Sequence, residues 1–62
     1  MQVALVNQTK SLLIVTLNSG TSLHMAPGQI SEAVDYMEIA GNEKIEKLRK
    51  TGAIAIVDAH AA

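Results

Sequence analysis

Cysteine is absent, as are tryptophan and phenylalanine; proline occurs once, and Tyr36 is the sole aromatic side chain. Without thiols the chain has no disulfide framework and no thiolate metal site, and cysteine usage says nothing of its redox compartment. Without large aromatic anchors its interior must be aliphatic and thin. Of its 30 hydrophobic residues nine are Ala and 17 are Val, Leu or Ile, so small methyl and branched groups must do the packing. A domain of 62 residues buries only about 60% of the surface its unfolded chain exposes. With disulfides excluded, association with other chains is the main remaining source of support. No internal repeat is present. The strongest apolar run, Leu12 to Val15 with Leu17 just beyond, is too short to span a membrane. Met1-Gln2-Val3-Ala4 lacks the basic region of a signal peptide, so a soluble protein made in the cytoplasm is expected. The formal net charge of −1 and pI near 6.0 give no field that would draw the chain to nucleic acid or an acidic membrane.

Turn chemistry divides the chain. Residues 2–6 alternate weakly and precede the polar Asn7-Gln8-Thr9-Lys10, which predicts a strand and then a hairpin loop. Residues 11–17 are rich in β-branched side chains and apolar on both faces, the pattern of a central strand covered on two sides. Asn18-Ser19-Gly20 suits a three-residue hairpin loop with Gly20 in the left-handed region, returning as a strand over 21–26. Pro27-Gly28 fits the centre of a type II turn. From Ile30 to Ala40 two patterns compete. Ile30, Val34 and Tyr36 would share a strand face interrupted by Glu32. Ile30, Ala33, Val34 and Met37 follow helical spacing slightly better, with Ser31 as N-cap and Gly41 as stop. The next segment is clearer. Asn42 caps a helix over about 42–51 that has Glu43 in its first turn and Arg49 and Lys50 in its last, matching the helix dipole. Glu43/Lys47 and Glu46/Lys50 are acid-before-base pairs four residues apart. Gly52 ends the helix, and 53–57 forms a last strand. One domain over 1–58 is expected, with 59–62 as a flexible tail.

One face of the predicted strands collects Val3, Leu5, Leu13, Val15, Leu17, Ile54 and Ile56, and a helix carrying Ile45 and Leu48 can cover it. The opposite face, with Ala4, Val6, Leu12, Ile14, Ala53, Ala55 and Val57, is apolar as well. That is more greasy surface than a small monomer leaves in water. Val6, Leu12, Ile14, Ala53, Ala55 and Val57 are therefore the candidate interface with another chain.

Candidate chemistry is sparse. His24 and His60 are the only imidazoles, and no metal-ligand spacing joins them to carboxylates, so no metal site is expected. Glu32, Asp35, Glu38, Glu43, Glu46 and Asp58 lack the apolar context that raises a pKa. No Gly-x-Ser-x-Gly elbow and no phosphate-binding glycine loop occurs, so no catalytic or cofactor-binding residue is assigned. The small tautomerases that act through an amino-terminal proline are excluded because Gln2 follows Met1. Lys44, Lys47, Arg49 and Lys50 form a basic cluster, but Glu43 and Glu46 interleave it and no second aromatic is available for base stacking.

From Asn18 to Val57 the order is Asn18-Ser19-Gly20, a short strand, Pro27-Gly28-Gln29, a polar stretch, Glu38-Ile39, Asn42-Glu43-Lys44-Ile45-Glu46-Lys47-Leu48, Gly52, then Ala53-Ile54-Ala55-Ile56-Val57. This order resembles small accessory proteins encoded among the head and tail genes of tailed bacteriophages. There, a Pro-Gly turn precedes a strand, a short helix ending in Lys-Leu, Gly and a closing strand. The resemblance covers about two thirds of the chain and rests on turns and apolar positions. It implies a virion component, made in the host cytoplasm: a capsid decoration or cement protein, or a neck or tail subunit. It implies no catalytic residues, and favours a strand over 30–36. The expected fold is thus α+β, a small, mostly antiparallel sheet with strands near 2–6, 11–17, 21–26, 30–36 and 53–57 and one helix near 42–51. The expected partners are copies of itself and other virion proteins, with no cofactor. A cellular interaction module with one partner is the alternative reading, and nucleic-acid binding through the basic cluster a third.

Overall fold

A computed structural model describes residues 1–59. The fold is α+β: strands β1 (Gln2–Asn7), β2 (Leu13–Thr16), β3 (Ser22–Met25), β4 (Val34–Asp35) and β5 (Ile54–Asp58), with helix α1 (Glu43–Thr51) between β4 and β5. Every pairing is antiparallel. The strands divide between two sheets, one ordered β4-β1-β5 and the other the β2-β3 hairpin. Val3 and Leu5 of the first sheet, Val15, Leu23 and Met25 of the second, and Ile45 of α1 bury against one another with Leu17, Ile39 and Ile54 in a single core. Leu13, Leu48 and Ile56 pack at its margin. The predicted inner face is therefore the observed core, and both sheets supply it.

The hairpin expected to follow the first strand does not form. The edges of β1 are taken by β5 and by the 28–35 segment, and among the described residues β2 pairs only with β3. Asn7 ties the chain together where it leaves the first sheet. Its side chain is fully buried, the one polar residue classed so among the described residues. Nδ2 donates to the carbonyls of Ser11 (2.8 Å), Met25 (2.9 Å) and Ala26 (3.1 Å). Oδ1 accepts from the backbone N–H and the hydroxyl of Thr9. One amide thereby folds the 8–11 loop and holds the end of β3 against β1. The Pro27-Gly28 turn closes as expected, Gln29 N–H donating to Ala26 O at 2.9 Å with Gly28 at φ +75°.

The 30–36 segment is a strand only in part. Ile30 bridges to Val6, and Val34 and Asp35 pair with Val3 and Gln2, so the segment spends one more residue than β1 between these contacts. That surplus is a bulge at 31–33. Ser31 holds it: its backbone N–H donates to Leu5 O (2.7 Å), and its hydroxyl accepts from Leu5 N–H (2.9 Å). Tyr36 lies beyond the strand in a 3₁₀ turn, Tyr36–Glu38, capped by the Asp35 carboxylate; this turn is all that forms of the helical alternative. Helix α1 starts where predicted, with Asn42 Oδ1 accepting from the N–H groups of Lys44 and Ile45, and stops at Gly52 in the left-handed conformation. Residues 60–62, with His60 and most of the predicted tail, lie outside the described residues; Ala59 N–H still donates to Gln2 O at 3.1 Å.

Candidate protein-contact surfaces

Pairing register decides which outward side chains meet. Across β1 and β5, Ala4 faces Val57 and Val6 faces Ala55, and on the other edge Val6 faces Ile30. Gln8 N–H donates to Ala53 O at 2.9 Å, which continues the same ladder. Cross-strand partners share a face, so Val6, Ala53, Ala55 and Val57 of the candidate interface lie on the outer face of the three-stranded sheet, beside Ile30. Val57 is 41% exposed and Ile30 59%, while Ala4 is already buried.

Leu12 and Ile14 do not join this patch. Leu13, Val15, Leu23 and Met25 of the hairpin turn toward the core, so Ile14 points outward on the second sheet, opposite His24, and is 54% exposed; Leu12 just before it is 60% exposed. The single apolar second face expected from the strands thus becomes two separate surfaces, because the strands belong to two sheets whose inner faces meet at the core. Sequence periodicity assigns a residue to a face of its own strand, and carries no signal for which sheet that strand joins.

The hairpin loop is tied to the 3₁₀ turn by Asn18, Ser19 and Glu38, a contact that the hairpin pattern did not predict. Asn18 Nδ2 donates to Met37 O (2.9 Å) and Ala40 O (2.8 Å), and the Ser19 hydroxyl donates to Glu38 Oε2 (2.9 Å). Asn42 Nδ2 donates to Thr16 O at 3.0 Å, which fastens the start of α1 beside β2. Tyr36 and Met37, both exposed, border this clasp.

The basic cluster borders two surfaces that share Lys47. Arg49 is held by Glu46, an (i, i+3) ion pair in place of the expected Glu46/Lys50 pair. The hydrogen bond from Arg49 holds the Glu46 carboxyl below the usual glutamate range, and the same bond raises Arg49. Lys47 and Lys50 line a shallow surface with Glu43 and Glu46, and Lys47 also lines, with Lys44, a groove of about 420 Å³ against β2, with Ile14, Val15, Thr16 and Leu48. His24 shares a polar recess with Glu32 and Ser31 along the outer edge of β3. Among the described residues no group of three or more His, Asp or Glu side chains converges as metal ligands, and no helix is long and apolar enough to cross a membrane. Comparison with protein-family models, curated proteins and solved structures gives no match.

Proposed function

We propose that this chain is a non-enzymatic structural subunit that packs against copies of itself and other proteins. Its proposed setting is a phage virion, as a capsid decoration or cement protein or as a neck or tail accessory. The observation that carries the packing reading is the outer face of the three-stranded sheet, where Val6, Ile30, Ala55 and Val57 stand side by side and the one acidic residue paired onto that face, Asp35, lies opposite Gln2 at its far end. A continuous apolar patch on so small a domain marks a contact site, and a face built of small and β-branched side chains suits close sheet packing between identical chains. The virion setting leans on the order of turns and apolar positions from Asn18 to Val57.

Size-exclusion chromatography with light scattering over a dilution series tests the packing reading. An oligomer is expected that dissociates in Val57→Asp, which places a carboxylate on the patch while leaving the core untouched. A monomer at all concentrations up to about 100 µM, well above the micromolar dissociation constant of an ordinary standard-size interface, would remove self-association and favour the single-partner module. Mass spectrometry of purified phage particles tests the setting, and absence of the chain from particles whose genome encodes it would end the virion reading.

A further inference from the structure

The groove between β2 and α1 is bounded on one side by an open sheet edge. In the β2-β3 ladder Leu17 N–H donates to Thr21 O at 2.8 Å, and the register pairs Val15 with Leu23 and Leu13 with Met25. Hydrogen-bonded pairs alternate along an antiparallel ladder, so the odd-numbered residues of β2 spend their backbone groups on β3. Ile14 and Thr16 turn theirs the other way, toward α1. Asn42 takes Thr16 O; among the described residues the N–H and C=O of Ile14 and the N–H of Thr16 have no protein partner. An edge of this kind is a template for an added strand.

The far wall of the groove supplies selectivity. Leu48 and Val15 form an apolar floor, and Lys44 and Lys47, one turn apart on α1, line it with no carboxylate among the described lining residues; Glu43 and Glu46 lie on the other side of Lys47, outside the groove. Four residues of β2 and nine of α1 give both walls a length of about 13 Å, enough for roughly four residues of extended chain. We propose that this groove binds an extended, acidic segment of a partner protein as a strand added beside Ile14, with an apolar side chain on Leu48 and flanking carboxylates on Lys44 and Lys47. The inference rests on the reading of the chain as a packing subunit and names the chemistry of its second partner. A copy of this chain is a poor occupant. Its strands carry acidic residues only at Asp35 and Asp58, one to a strand, and β2 itself has none. Nucleic acid is disfavoured because no aromatic side chain lines the groove to stack a base.

Titration of the ¹⁵N-labelled full chain tests this, with a synthetic peptide of about eight residues alternating valine and glutamate as the probe. Amide shifts are expected at Ile14, Thr16, Lys44, Lys47 and Leu48. The double variant Lys44→Glu, Lys47→Glu, its fold checked by an otherwise unchanged amide spectrum, should bind roughly tenfold more weakly, the scale of two exposed ion pairs lost and reversed. A peptide with alternate amides N-methylated should lose binding, because it cannot complete the edge. The proposal is overturned if the acidic peptide causes no shifts at about 1 mM, a concentration that still reveals contacts as weak as −4 kcal/mol. It is equally overturned if a lysine-containing analogue or the N-methylated peptide binds as well, or if duplex DNA displaces the peptide from the two lysines. Self-association is read separately by light scattering, so a monomer that binds the peptide refutes packing through the outer face and leaves the groove standing.

Discussion

Asn7 concentrates more structural work than any other polar side chain described. Its amide spans three segments, the 8–11 loop, the end of β3 and the start of the Pro27-Gly28 turn, and both its nitrogen and its oxygen are bonded within a fully buried side chain. Removing one partner from a buried network leaves the others desolvated and unpaired, at a cost of about 1–3 kcal/mol. Asn7→Ala is therefore expected to lower the free energy of unfolding, read from urea denaturation, by that amount and to expose the 8–11 loop to proteolysis. A variant as stable as the parent would show that the three carbonyls find other donors. The sequence offered little sign of this role, since asparagine after an alternating run reads as a turn residue, and only burial distinguishes a turn asparagine from one that ties segments together.

Among the elements, β2 has one saturated edge and one open edge, and amide hydrogen exchange distinguishes them directly. Val15 N–H, engaged with β3, should exchange slowly; Ile14 N–H, one residue away in the same strand, should exchange as fast as a loop amide. Equal protection at the two positions would mean that the edge is already covered, and the strand-addition proposal would fall with it. Helix α1 and the two glycine turns were legible in the sequence because each depends on neighbours within a few residues: Asn42 bonds Lys44 and Ile45, and Gly20 N–H reaches back to Leu17 O at 2.9 Å. The bulge at Ser31 was not legible, because it exists only relative to the register of β1.

As a whole molecule the chain has one core, aliphatic throughout, in which Leu5, Val15, Met25, Ile45 and Ile54 are almost completely buried. Domains of this length are held by about 3–9 kcal/mol in total. Deleting a buried Ile side chain costs about 2–5 kcal/mol, so Ile45→Ala, which removes the anchor of α1 on both sheets, should leave a large unfolded fraction at 37 °C by circular dichroism. Retention of a cooperative transition within about 1 kcal/mol of the parent would indicate that the helix contributes little to the core.

Composition and local pattern determined the α+β class, the helix from Asn42 to Gly52, the hairpin at Gly20 and the inward-facing set of side chains, because these follow from dihedral preference, capping and a period of two. Tertiary structure alone decided that β1 lies between β4 and β5 and not beside β2, that the outward apolar residues fall on two surfaces, and that Lys44 and Lys47 look onto an open strand edge. Strand partnership is a contact between segments far apart in the chain, chosen by the packing of the finished core and by one buried amide, and the side-chain alternation along a strand is the same whichever neighbour it takes.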